Sequence, residues 1–125
     1  MKAIETKLTP AALKNTITKV LKDNKAIDVK ALNLKKLTDM AEYMIVCTAN
    51  STTHTNSLIK KVRDELVPLN IRPIGVEGDD SREWMLIDFG SVIVHVMLQS
   101  IREYYQLEDL WTITKEQSEE QPDKE

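Results

Sequence analysis

Leu13, Ile17, Val20 and Leu21 recur at the spacing of one helical face, behind Thr9 and Pro10, which suit a cap and a first helical position. The pattern predicts an amphipathic helix over Pro10–Lys22, ended by Asp23-Asn24. Ile27, Val29 and Ala31 then alternate with charged residues, as in a half-exposed strand, and Asn33–Asp39 is polar and turn-prone. Tyr43–Thr48, YMIVCT, is a continuous apolar run and predicts a strand covered on both faces. Ser51 is placed to cap a second helix, whose buried stripe is Leu58, Ile59, Val62 and Leu66 and which Pro68 forces to finish near Val67. A short strand is expected at Arg72–Val76, followed by an acidic loop through Arg82. Trp84–Phe89 and Val92–Met97 read as a hairpin turning at Gly90-Ser91. Ser100-Ile101-Arg102-Glu103 has the form of a capping box opening a last helix, with Leu107, Leu110 and Trp111 closing the domain. The order α-β-β-α-β-β-β-α defines the expected class, α/β in the mixed α+β sense. It implies a single mixed sheet of about five strands with helices packed on it.

Composition and charge narrow the partners. At 125 residues the chain is expected to form one domain over 1–112, with an acidic, disordered tail at 113–125. That tail accounts for the whole net charge of −3, so the body is neutral. Within the body the first helix is lysine-rich (Lys14, Lys19, Lys22), whereas Glu77, Asp79, Asp80, Glu83 and Asp88 make the region around Trp84 acidic. A neutral body with an acidic patch suits steering toward a cationic protein better than phosphate binding, so no sequence-specific nucleic-acid binding is expected. No apolar run approaches the roughly 20 residues needed to span a bilayer, and the N-terminus lacks a secretory pattern. The lone Cys47 excludes an internal disulfide, so a cytoplasmic location without membrane partners is expected.

Trp84, Leu86 and Asp88 fall on one face of the first hairpin strand. A tryptophan in a small sheet is more often core than displayed, but the carboxylates crowded beside it favour an interface anchor. Asp88 suits either a bond that orients the hairpin turn or an ion pair with a partner. Cys47, His54 and His95 lack the spacing of a zinc site, and no metal or other cofactor is expected. The strand-to-helix turn Thr48–His54 places backbone N–H groups where an anion could sit, which opens a nucleotide-binding or nucleotidyl-transferring alternative. Such chemistry needs paired acids to carry magnesium, and Asp88-Phe89-Gly90 offers only one; Ser51 and His54 therefore read better as capping residues, and no catalytic residue is assigned.

Taken together, these residues resemble the ribosomal silencing factor family, also called Iojap-like. The resemblance runs from Pro10 to Trp111 and rests on Asp39 with YMIVCT, Ser51, His54 and Gly75-Val76-Glu77-Gly78. It continues through Ser81, Trp84, Asp88, Gly90, Val94-His95-Val96-Met97, Arg102, Tyr104-Tyr105, Leu107-Glu108 and Leu110-Trp111. It implies a nucleotidyltransferase-like topology without the catalytic acids, no enzymatic activity, and a homodimer as one form of the free protein. The implied partner is the large ribosomal subunit, bound through ribosomal protein L-fourteen so that joining to the small subunit is blocked and translation falls. The contact residues assigned on this basis are Trp84, Asp88, Glu77, Asp80, Met97 and Tyr104. The chain departs from the family pattern at Ala49, Thr53 and Ser91, where a glycine, an arginine and an acid are usual.

Overall fold

The Thr9 hydroxyl accepts a hydrogen bond from the Ala12 amide and starts α1, Pro10–Asp23. In the computed structural model, which describes residues 8–105 apart from 38, 40, 79 and 80, three α-helices accompany five strands. The strands are β1 (Ile27–Asn33), β2 (Tyr43–Ala49), β3 (Gly75–Gly78), β4 (Trp84–Asp88) and β5 (Val92–Leu98). The other helices are α2 (Thr52–Leu66), followed by a single 3-10 turn at Val67–Leu69, and α3 (Gln99–Tyr105). The strands form one sheet in the order β1-β2-β5-β4-β3. Only β2 and β5 run parallel; the other neighbours are antiparallel, so the sheet is mixed as expected.

Both long helices lie on one face of the sheet. Leu13, Ile17 and Leu21 of α1 and Leu58, Ile59, Val62 and Leu66 of α2 pack on Ile45 and Cys47 of β2, Val92, Val94 and Val96 of β5, and Ile87 of β4. The opposite face carries a second, smaller cluster of Leu32, Leu34, Ala41, Met44, Val46 and Met97. Leu37, Trp84, Ile93 and Ile101 pack against its edge, only partly buried. Burial of β2 from Met44 to Ala49 follows from this double cover, because a central strand flanked by both clusters has no solvent side.

Three boundaries differ from the sequence reading, each for a local reason. The third strand occupies Gly75–Gly78 rather than Arg72–Val76, because β4 supplies ladder partners only from Gly75, opposite Asp88, to Gly78, opposite Met85. Along β1 the chain bulges between Ile27 and Lys30 with Asp28 at φ 52°, which leaves Ile27 exposed and makes Leu32 the fully buried residue. The last helix starts at Gln99, directly after β5 pairs Leu98 with Ala49. Ser100 therefore lies inside the first turn and does not cap it, and Glu103 accepts a hydrogen bond from the Gln99 side-chain amide at 2.8 Å. Leu107, Leu110, Trp111 and the acidic tail lie outside the described residues.

Candidate functional site

The register of the hairpin sets out the part of the sheet that the described residues cover least. Trp84 stands opposite Met97, Leu86 opposite His95, and Asp88 opposite Ile93; on the other side of β4, Glu77 faces Leu86. Directly opposed residues share a face, so Glu77, Trp84, Leu86, Asp88, Ile93 and His95 all point away from the helices. The small cluster covers this face over β1 and β2, and its cover thins toward β4 and β3. Glu77, Gly78, Trp84 and Leu86 line a shallow depression of about 150 Å³ there. The result is an apolar strip of Trp84, Leu86 and Ile93, each half-buried, bordered by carboxylates.

Trp84 is held at both ends of its ring. Its body packs on the small cluster, and its indole Nε1–H donates to His95 Nδ1 at 3.0 Å, with ring centroids 5.9 Å apart. A histidine that accepts at Nδ1 must be neutral and carry its proton on Nε2. Burial enforces that state, pushing the His95 pKa down from 6.5 to about 4. The indole is therefore neither free nor enclosed.

The acids divide by role. Glu77 is exposed on the edge strand β3, and Glu83 is half-buried just before β4. Asp88 is half-buried, and its Oδ1 accepts from the Gly90 amide at 2.7 Å, which orients the turn. Gly90 adopts φ +89°, a conformation that needs glycine, at the first central position of that turn. Asp79 and Asp80 lie outside the described residues. Met97 is fully buried among Leu32, Met44 and Val46, so the sequence-based assignment of a contact role to it is corrected: its pleat directs it under Trp84, as support for the ring. Tyr104 on α3 is 78% exposed. The side chain of Tyr105 is not described.

The Thr48–His54 turn is committed to structure. Ser51 Oγ accepts from the His54 amide at 3.1 Å, capping α2. His54 Nδ1 accepts from the Asn50 amide at 3.0 Å, and Nε2 donates to the Asn24 carbonyl at 3.0 Å. The imidazole thus ties the start of α2 to the end of α1, with neither nitrogen left for an anion. Among the described residues no group of three His, Cys, Asp or Glu side chains could hold a metal ion. Cys47 is buried, and its thiol is pushed up to about 12, which keeps it protonated and unreactive.

Sequence reasoning missed Arg102. It is 2% exposed, and its Nη1 donates to the Asp28 carbonyl at 2.8 Å and to Thr48 Oγ1 at 2.9 Å; Nη2 lies 3.5 Å from Asp28 Oδ2. It pins α3 to the bulge of β1 and the end of β2. An arginine between Ile101 and Glu103 reads as an exposed helix charge, and only the tertiary structure reveals its burial.

A mixed five-stranded sheet with both long helices on one face and a half-buried aromatic strip on the other defines a small α/β domain. The chain belongs to the ribosomal silencing factors: the family model described as "Ribosomal silencing factor during starvation" matches residues 7–125. The ribosomal silencing factor RsfS of Chromobacterium violaceum is 41% identical over 91 residues, 73% of this chain and 75% of that protein. That of Bacillus subtilis is 34% identical over 89 residues, covering 71% and 75%. A mouse protein named for mitochondrial assembly of the ribosomal large subunit is 29% identical over 97 residues, covering 75% of this chain and 42% of its own length. A crystal structure of a Chromobacterium violaceum protein superimposes with a TM-score of 0.80 at 35% identity, over 84% of this chain and 88% of that one. No described helix is long and apolar enough to cross a membrane.

Proposed function

We propose that the protein silences ribosomes by docking its Trp84 face on ribosomal protein L-fourteen of the large subunit, which blocks joining to the small subunit and lowers translation. The observation that carries this reading is the half-buried indole on the thinly covered sheet face, with Glu77, Glu83 and Asp88 along its border. Interfaces commonly centre on a tryptophan inside a polar rim, and truncating such an anchor costs about 2 kcal/mol or more. A carboxylate border complements a cationic surface, which a protein of the ribosome would offer. The family's description names silencing, and the mouse relative's name ties that protein to the large subunit. Tyr104, exposed on α3, and Asp80, four residues before Trp84 in the sequence, extend the proposed contact.

Co-sedimentation with isolated large subunits tests the reading, together with inhibition of their joining to small subunits. Trp84→Ala is expected to weaken sedimentation about thirtyfold, in line with an anchor of that size. Glu77→Lys reverses an exposed charge without touching the core and is expected to slow association. Asp88→Asn keeps an oxygen for the Gly90 amide and removes only the charge. If all three variants bound large subunits like the parent, the assigned face would be wrong.

A further inference from the structure

We propose that His95 is the positioning residue of the docking face, fixing the Trp84 indole in one orientation so that the partner meets a pre-set ring. The inference rests on the docking reading above and adds a residue to it. An indole can turn about two side-chain bonds, and binding to a ring that still moves must immobilise it first. His95 removes that freedom from the neighbouring strand. The two residues sit diagonally across the β4–β5 ladder, and the indole N–H meets Nδ1 at 3.0 Å with the rings tilted by 48°.

The histidine can act as a fixed post because its own strand is paired along both edges. β5 lies between β2 and β4, and His95 is registered against Val46 on one side and Leu86 on the other, Val46 being fully buried. Among the described residues, the hydrogen bond from Trp84 is the one the imidazole makes. A generic apolar neighbour at this position would pack against the indole but offer its N–H no acceptor. Fixing the ring in advance is worth about three- to tenfold in affinity, the range for immobilising one large side chain.

Three substitutions separate positioning from mere packing. His95→Asn keeps an oxygen where Nδ1 stands; His95→Gln keeps a polar group where Nε2 stands; His95→Leu keeps bulk and neither. Each is made in a Trp111→Phe background, so that the single indole N–H resonance in the nitrogen–proton NMR spectrum belongs to Trp84. Asparagine is expected to retain the parent resonance and to bind large subunits within about twofold of the parent. Leucine is expected to shift and broaden that resonance and to weaken binding about three- to tenfold. Should leucine fail to unfold cooperatively, the asparagine–glutamine comparison decides alone. Parent-like binding by leucine, or rescue by glutamine but not asparagine, would overturn the proposal. A parent protein that does not sediment with large subunits would instead refute the docking reading, while the resonance comparison in the free protein still decides whether His95 holds the ring.

Discussion

His95 couples the candidate face to pH. The folded protein holds the imidazole neutral down to about pH 4, whereas the unfolded chain charges it near 6.5, so the unfolded state binds the extra proton between those values. Stability from this residue is therefore intact above about pH 6.5 and falls as pH drops toward 4, by up to about 3 kcal/mol at 1.4 kcal/mol per unit. Urea unfolding at pH 7 and pH 4.5 should show the loss, and His95→Asn should flatten the difference. If the slope survived in His95→Asn, other groups would have to carry it. At Cys47 the expectation is the reverse of reactivity: a thiol-labelling reagent should react only after denaturation. The Trp84–His95 pair was within reach of the sequence, since a turn at Gly90-Ser91 sets Leu86 opposite His95 and puts Trp84 one diagonal away. The burial of Met97 was not readable from the same register, which puts it on the Trp84 face; it is the small cluster of Leu32, Met44 and Val46 that covers it.

The elements that were legible are those with strong period or punctuation. α1, β2, α2 and the β4–β5 hairpin fall within one or two residues of the expected bounds because Pro10, Ser51, Pro68 and Gly90 mark their ends. β3 and α3 were displaced because their limits are set by partners distant in sequence: the β4 ladder in one case, the β2–β5 pairing in the other. Arg102 shows how much hangs on such a partner. Removing it strands the Thr48 hydroxyl and the Asp28 carbonyl and detaches α3 from the bulge, so Arg102→Ala should cost about 2–4 kcal/mol in chemical denaturation. Arg102→Lys should recover little of this, since an ammonium cannot reproduce the guanidinium fork. Exposed Arg63 on α2 makes the control, with an expected change within about 0.5 kcal/mol.

For the molecule as a whole, the organising fact is that both long helices cover the same side of the sheet. Among the described residues that asymmetry leaves the strip of Trp84, Leu86 and Ile93 thinly covered, and the sequence could not announce it, because the pattern of a strand does not say which side the helices take. The long helices are net basic even against their own Asp23, Asp64 and Glu65. Lys14, Lys19, Lys22, Lys60, Lys61 and Arg63 ride on the helices, while Glu77, Glu83 and Asp88 border the strip. Docking through the acidic border should therefore weaken as salt rises, mainly in the association rate, with a shallower dependence in Glu77→Lys. Measuring sedimentation at 50 and 300 mM salt would check this; an unchanged binding curve would argue for a purely apolar contact.

The parallel pairing of β2 with β5 also has a consequence for synthesis. The central strand is complete at Ala49, yet the neighbour that seals its flank ends only at Leu98. At the usual rate of about 5–20 residues per second, β2 waits seconds with one edge bare before the sheet can close. A nascent chain of this kind cannot finish folding until nearly the whole domain has left the tunnel, so it matures beside the very particle its family is named for silencing.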